Sequence, residues 1–230
     1  MKNLLTLLIA ILFASIDISA QYAESWTDYM DGMPMPPGQE IGNSRDINNN
    51  RSATYYTDRT MFQAANPGFP LEDFEAGAVL PFQVTGCDEP MNDASSDACF
   101  TPGGLIPGFS LSTFEGIRAG CPANCPLVIL GDGLIGNADI VVGPNFFGDT
   151  YLITFSPPVS AAGMDLHVPA AETFDIVITD GNGMTTMTTA SATPAGTFWG
   201  VECPELIASI QLISPAGAGE LIDNLEFGIN

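Results

Sequence analysis

The sequence predicts an all-β fold, an antiparallel β-sandwich or jelly roll, and three observations support this prediction. Short stretches rich in β-branched and aromatic residues recur along the second half of the chain, separated by turn residues at fairly even intervals. No segment shows the pattern of a long amphipathic helix. The chain also holds 24 Gly and 18 Pro, which is typical of a fold with many loops.

The predicted elements begin with one short helix at residues 59–65, for which Asp58 is the N-cap and Pro67-Gly68 the stop signal. Residues 180–183, Asp-Gly-Asn-Gly, form the clearest hairpin turn because these residue types tolerate positive φ. The predicted strands are residues 109–114, 127–130, 151–155, 162–168, 174–179, 185–190, 197–201, 207–213 and 221–227.

Alternation along two of these strands predicts which side chains face the core. Phe174, Ile176 and Ile178 share one face of their strand. In the last strand, Asp223 shares a face with Leu225. The sequence therefore places a carboxylate on the apolar side of a strand, where it must be paired, bound to a metal or protonated.

The first 20 residues are predicted to be an export signal. Lys2 precedes an apolar stretch at residues 4–14 that is too short to span a bilayer, and Ala20 ends a small-residue cleavage site. We expect a secreted or periplasmic protein whose mature chain begins near Gln21. No later apolar stretch has spanning length, so membrane insertion is not expected.

The mature chain divides into two parts by composition. Residues 21–53 are rich in Met, Pro and Asn and poor in β-branched residues, which predicts an irregular or disordered leader. Residues 54–230 hold all the predicted elements and have the length of a single β-sandwich domain.

The charge balance excludes several classes of partner and chemistry. The chain carries 27 Asp and Glu against 5 Lys and Arg, a net charge of −22, so we do not expect it to bind nucleic acid or anionic membranes. Solubility in a salty medium and cation binding both remain consistent with this charge.

His167 is the only His, and no nucleophile elbow, zinc-protease motif or phosphate loop is present, so no catalytic residue is predicted.

The chain has five cysteines, at positions 87, 99, 121, 125 and 203. Export makes disulfides permissible, and proximity favours Cys87–Cys99 and Cys121–Cys125, which leaves Cys203 as the odd residue. A zinc site is disfavoured because no second ligand pair accompanies the two central cysteines and the chain has one His.

Several short motifs occur in one order over most of the mature chain. They are residues 56–62 (Tyr-Thr-Asp-Arg-Thr-Met-Phe), 71–75 (Leu-Glu-Asp-Phe-Glu), 100–108, 142–147, 153–159, 196–201 and 222–228. In this order they resemble a family of secreted bacterial β-sandwich proteins, many of which carry a C-terminal PEP-CTERM sorting tail. The present chain ends at Asn230 without that tail, and the resemblance implies a fold but no assigned activity.

Acidic strand motifs open and close the predicted domain, although carboxylates are depleted in strands. This pattern has a looser resemblance to jelly-roll carbohydrate-binding modules, in which an acid of the first strand and an Asp of the last often bind structural calcium. Glu75 and Asp223 hold the matching positions, and Glu72, Asp73 and Asn224 could add oxygen ligands. The alternative is that these residues are exposed polar side chains on edge strands.

Two aromatic residues are candidate sugar contacts, because an exposed ring stacks on the apolar face of a sugar. Trp199 alternates with Phe198 along its strand, and Tyr151 follows a loop rich in Gly and Pro. Core packing is the alternative for both. We expect a non-catalytic extracellular module that binds a glycan or a cell-surface or matrix component; the alternative is a secreted polysaccharide hydrolase or lyase.

Overall fold

The computed structural model describes residues 23–32, 53–113 and 125–230. Every pair of neighbouring strands in it is antiparallel, which confirms the predicted fold class. In chain order the elements are α1 (Trp26–Met30), β1 (Thr54–Tyr56), α2 (Arg59–Ala65), β2 (Leu71–Glu72), β3 (Val84–Cys87), β4 (Phe109–Thr113), β5 (Leu127–Leu130), β6 (Val141–Pro144), β7 (Tyr151–His167), β8 (Glu172–Asp180), β9 (Thr185–Ala192), β10 (Thr197–Ile213) and β11 (Leu221–Gly228).

The two long central strands, β7 and β10, contribute to both sheets of the sandwich. The first part of β7 and the last part of β10 lie in a five-stranded sheet of order β4-β7-β10-β8-β9. Their other parts belong to a sheet of order β3-β5-β6-β11-β7-β10-β1, and β2 pairs with β11. Pairing shifts register between Glu202 and Ile207, where the strands pass from one sheet to the other.

The core lies between these two sheets. Phe174, Ile176 and Ile178 of β8 are buried in it, as the alternation of that strand predicts. They belong to one cluster with Val201 and Leu225 of the other sheet. This contact across the layers confirms the β-sandwich.

The strongest local signals are confirmed in detail. Helix α2 spans the predicted residues, and Met61 N donates to the N-cap side chain of Asp58 at 3.0 Å. In the hairpin between β8 and β9, the Asp180 carboxylate accepts hydrogen bonds from Asn182 N at 2.9 Å and Met184 N at 2.8 Å. Aspartates that accept hydrogen bonds from nearby backbone N–H groups therefore predicted both the start of the helix and the hairpin turn correctly.

Strand β6 was not predicted because its residues Gly143 and Pro144 resemble a turn. The structure explains the glycine: a Cβ at position 143 would lie 2.0 Å from the Glu220 carbonyl oxygen. Gly143 thus permits a close approach between β6 and the residues that precede β11.

The predicted irregular leader is in part ordered. Ser25 caps α1 by accepting a hydrogen bond from Asp28 N at 3.1 Å, and Trp26 is fully buried, with its ring centroid 5.2 Å from that of Phe147. One large side chain holds this segment on the sandwich, which composition alone did not reveal. The predicted signal peptide with its cleavage site at Ala20, and residues 33–52, lie outside the described residues.

The predicted Cys87–Cys99 disulfide is confirmed, with the two Cα atoms 5.5 Å apart. Cys125 is also disulfide-bonded, while Cys121, its predicted partner, lies outside the described residues. Cys203 carries a buried thiol in β10. Neither helix that the structure describes is long and apolar enough to cross a membrane.

Candidate functional site

Arg59, the first residue of α2, holds the helix against β7 and β11. It is the only Lys or Arg within the described residues. Its guanidinium lies 3.1 Å from the Asp165 carboxylate, forms an ion pair with Glu226 and donates to the Asn224 carbonyl at 3.1 Å. It also lies 4.6 Å from the ring centroid of Phe198. This one cation therefore neutralises acids from two strands.

Asp223 lies at the centre of a group of carboxylates that we call the acidic cluster: Glu75, Asp139, Asp165 and Asp223. Asp223 is 2% exposed, as its place on the apolar face of β11 predicts. Its pKa is raised to about 8, mainly by burial and also by the negative charges of the other three acids. A hydrogen bond from the Asn224 backbone to one oxygen, at 2.6 Å, lowers the pKa and only partly offsets this rise. The Asn224 side chain donates to the other oxygen at 2.8 Å.

Glu72, one of the predicted calcium ligands, accepts hydrogen bonds from two backbone N–H groups. Its side chain is buried, and Oε1 accepts a hydrogen bond from Phe74 N at 2.9 Å. Oε2 accepts from Ile106 N at 2.7 Å. Burial raises the pKa of Glu72, and these two backbone donors lower it. Since both oxygens are occupied by backbone N–H groups, the side chain joins β2 to the loop before β4.

The remaining predicted ligands also have hydrogen-bond partners. Glu75 Oε1 accepts from Ile140 N at 2.8 Å, and Asp73 Oδ1 accepts from the Glu75 backbone at 3.1 Å. Asn224 donates from its side chain to Asp165 at 3.1 Å as well as to Asp223. The structure thus associates Glu75, Asp223 and Asn224, whereas the Asp73 contact stays local to its own turn.

Asp139 and Asp165 belong to the acidic cluster but were not predicted. Asp165 was visible as a lone acid between Met164 and Leu166 in a buried strand, and it lies opposite Asp223 in the pairing of β7 with β11. In the part of the chain that the structure describes, no three His, Cys, Asp or Glu side chains converge closely enough to hold a metal ion by themselves. A cation here would need backbone, amide or water oxygens as well.

The predicted aromatic sugar contacts are contradicted by their burial. Trp199 is 3% exposed and Tyr151 is fully buried, and both belong to the core between the sheets. Burial also raises the pKa of the Tyr151 phenol well above its usual range. Neither ring presents a face to solvent on which a sugar could stack.

The five-stranded sheet instead presents a mostly uncharged surface to solvent, which we call the outer face. Strand register places two straight rows of partly or fully exposed side chains across its strands. The first row is Ser110, Thr154, Ser209, Thr179 and Thr185. The second row is Ser112, Leu152, Gln211, Val177 and Met187. One row is composed only of hydroxyl side chains, and the other is mainly apolar with a central amide.

A cavity of about 550 Å³ lies beside the end of the outer face. It is lined by residues 23–24, 146–150, 213–217 and 220. Ile213 lines the cavity and is paired in the sheet with Asp175; Gln211 of the outer face donates to Thr150, which also lines the cavity, at 2.9 Å. The cavity and the outer face are therefore contiguous.

Glu220 is one of three acids that line this cavity, together with Glu24 and Asp149. Its carboxylate accepts a hydrogen bond from Ser214 N, and its pKa is raised to about 8, mainly by burial and also by the negative charges of Glu172 and Asp149. Sequence reasoning missed this residue because it stands in a loop of small residues directly before the last strand.

Comparisons with known proteins found no matching family model and no matching curated protein. Among solved structures, a mutant of CBM29-2, a family 29 carbohydrate-binding module, aligns at 10% identity over 64% of this chain and 94% of its own, with a TM-score of 0.36. The family 11 carbohydrate-binding module of a cellulosomal cellulase of Clostridium thermocellum aligns at 10% identity over 64% and 98%, with a TM-score of 0.31. An exo-beta-agarase aligns at 14% identity over 71% of this chain and 25% of its own, with a TM-score of 0.33.

Proposed function

We propose that this chain is an extracellular, non-catalytic module whose outer face binds a neutral glycan. The observation that carries the proposal is the chemistry of that face in a chain of net charge −22. Its two rows contain no charged side chain, and the nearest acid on the same face is Asp175 at their edge. A surface that avoids charge in so acidic a chain suits a neutral ligand.

The dimensions and chemistry of the outer face match a short stretch of polysaccharide. Neighbouring strands lie about 4.8 Å apart, so five strands give each row a length of roughly 19 Å. The hydroxyl row can exchange hydrogen bonds with sugar hydroxyls, while Leu152, Val177 and Met187 offer apolar surface to the C–H groups of a sugar ring. Anionic polysaccharides would be repelled by the net charge.

The central position of the hydroxyl row gives a direct test. Ser209→Arg should cover the row and weaken binding of a neutral polysaccharide at least tenfold, which corresponds to about 1.4 kcal/mol. The matched control is Ser96→Arg, the same substitution at an exposed serine away from this sheet. Affinity electrophoresis of the mature chain against neutral β-glucans, galactans and mannans, with alginate and pectate as anionic comparisons, would measure it.

Two results would contradict this proposal. One is binding to anionic polysaccharides alone, and the other is equal affinity of wild type and Ser209→Arg for a neutral polysaccharide. Release of soluble sugars from any of these polysaccharides, lost on replacing one acid, would favour the hydrolase or lyase alternative.

We also propose that the acidic cluster holds a structural calcium ion. Support comes from the position of Asp223, a buried carboxylate that is repelled by the negative charges of three other acids. The one nearby cation among the described residues, Arg59, pairs with Asp165. Carboxylate oxygens are hard ligands of the kind that calcium prefers. Asp223, Glu75 and Asp139 are the side chains that fit this role, whereas each oxygen of Glu72 already accepts a backbone hydrogen bond.

Calcium should therefore raise the melting temperature of the mature chain. At a calcium concentration one hundred times the dissociation constant, the native state gains about 2.7 kcal/mol, which is roughly 5–10 °C for a domain of this size. Asp223→Asn should reduce this gain, whereas Asp175→Asn, on the outer face, should leave it unchanged. Thermal melts in calcium chloride and in chelator measure the gain; an equal gain in Asp223→Asn and wild type would count against the site.

A further inference from the structure

Two glutamates beside the cavity converge on one serine. Ser214 donates from its backbone N–H to Glu220 and from its hydroxyl to Glu172 Oε1, the latter at 2.5 Å. Its hydroxyl also accepts from Ala218 N at 2.9 Å. The first residue of β8 and the last residue before β11 are thereby brought together around a loop of small residues, 214–219.

Each glutamate keeps one oxygen for which the described residues provide no hydrogen-bond partner. Within the described residues, Oε2 of Glu172 and Oε2 of Glu220 are both buried without a hydrogen-bond partner, and Glu220 as a residue is 1% exposed. The Ala216 backbone also contributes a hydrogen bond to Glu172 that lowers the pKa of this carboxyl. Buried carboxylate oxygens without a donor are costly and rare in folded proteins. The one Lys or Arg in the described part of the chain, Arg59, is engaged by Asp165 and Glu226.

The burial of these oxygens limits what could satisfy them. A sugar hydroxyl or an ammonium group must approach through open space, but neither oxygen is accessible to solvent. A calcium ion bonds carboxylate oxygens directly, at about 2.3–2.6 Å. Two carboxylates, a nearby hydroxyl and the loop carbonyls are hard oxygen donors, which favour calcium over softer metals.

We propose that Glu172 and Glu220 bind a divalent cation of the calcium type at the edge of the cavity. The ion joins the start of β8 to the loop between β10 and β11. Because no three acidic side chains in the described residues converge on one point, its other ligands are hydroxyl, backbone carbonyl or water oxygens. This site is separate from the acidic cluster and lies next to Ile213, so it would fix the end of the outer face.

Terbium(III) is a suitable probe because it replaces calcium and luminesces when a nearby tryptophan is excited. Trp26 lies beside this site: a Cβ on Gly219, the residue before Glu220, would be 3.3 Å from its indole nitrogen. The experiment uses the mature chain, as wild type and as Asp223→Asn to disable the acidic cluster. We expect saturable luminescence in both proteins, displaced by calcium chloride, lost in Trp26→Phe and retained in Trp199→Phe.

Loss of one carboxylate identifies the ligands. Glu220→Gln and Glu172→Gln should each abolish the calcium-displaceable signal in the Asp223→Asn background, while Glu205→Gln, at an exposed position, should keep it. If near-ultraviolet circular dichroism shows that Glu220→Gln does not fold, the result for Glu172→Gln, at a partly exposed position, decides between the outcomes. The proposal is overturned if Asp223→Asn shows neither saturable luminescence nor a calcium-dependent rise in melting temperature, or if a folded Glu-to-Gln variant binds as wild type does.

Discussion

Arg59→Met is expected to destabilise the domain by about 3–5 kcal/mol, the usual cost of removing one partner from a buried ion pair. Glu226 is 3% exposed and would retain a negative charge with no cation beside it. The substitution also removes the donor to the Asn224 carbonyl and the ion pair with Asp165. Urea denaturation of wild type and variant at the same pH would measure the difference in the free energy of unfolding.

A second substitution separates the charge from the packing of the arginine stem. Glu226→Gln in the Arg59→Met background removes the stranded charge and should recover a large part of the lost stability. Gln63→Ala is the matched control, because the Gln63 side chain donates from one uncharged nitrogen to both oxygens of the same carboxylate, at 3.0 and 3.1 Å. Since Gln63 is itself exposed, water can replace this donor and the substitution should cost only about 1 kcal/mol. A cost below 1 kcal/mol for Arg59→Met would show that Glu226 is adequately solvated without the cation.

The parts of the fold that the sequence predicted are those governed by local rules. The alternation of β8 placed three apolar residues on its inner face, the carboxylate of Asp58 marked the start of α2, and Asp-Gly-Asn-Gly marked the hairpin after β8. Each signal depends on neighbours within a few residues, so a single sequence contains it.

The continuity of β7 and β10 could not be predicted in this way. Pro157, Pro158 and Pro204 read as breaks because proline cannot donate to a strand ladder. In the part of the chain that the structure describes, these prolines have no paired residue on a neighbouring strand. They lie in the middle of β7 and β10, where each strand leaves one sheet and enters the other. Whether a strand can accept proline at these positions depends on the tertiary arrangement, so the local sequence does not reveal it.

In the candidate site, too, local patterns were predicted from the sequence and contacts between distant segments were not. Alternation correctly placed Asp223 on the buried face of β11, but Asp165 is brought opposite it only by the pairing of β7 with β11, a non-local register. Alternation also gives a face without saying what covers it, so the sequence left both a sugar contact and core packing open for Trp199. In the structure the second sheet covers this ring. The outer face became visible only when five strands were aligned across the sheet.

Glu72→Ala is expected to cost about 3–6 kcal/mol in the free energy of unfolding. The substitution removes two hydrogen bonds to a charged acceptor, each of which contributes about 1.5–3 kcal/mol. It leaves Phe74 N and Ile106 N without their acceptor, and the first of these belongs to a fully buried residue. Glu72→Gln keeps the shape and one amide oxygen, and should therefore recover only part of the loss.

The calcium dependence of this cost tests the assignment of Glu72 directly. A residue that acts by accepting backbone hydrogen bonds should cost the same in calcium chloride and in chelator, because those donors are present in both. Asp223→Asn provides the contrast, since its cost should be larger when calcium is present. If the cost of Glu72→Ala shrank on chelation, a metal ion rather than the backbone would be its main partner, and the ligand role that the acidic first strand predicts would be restored.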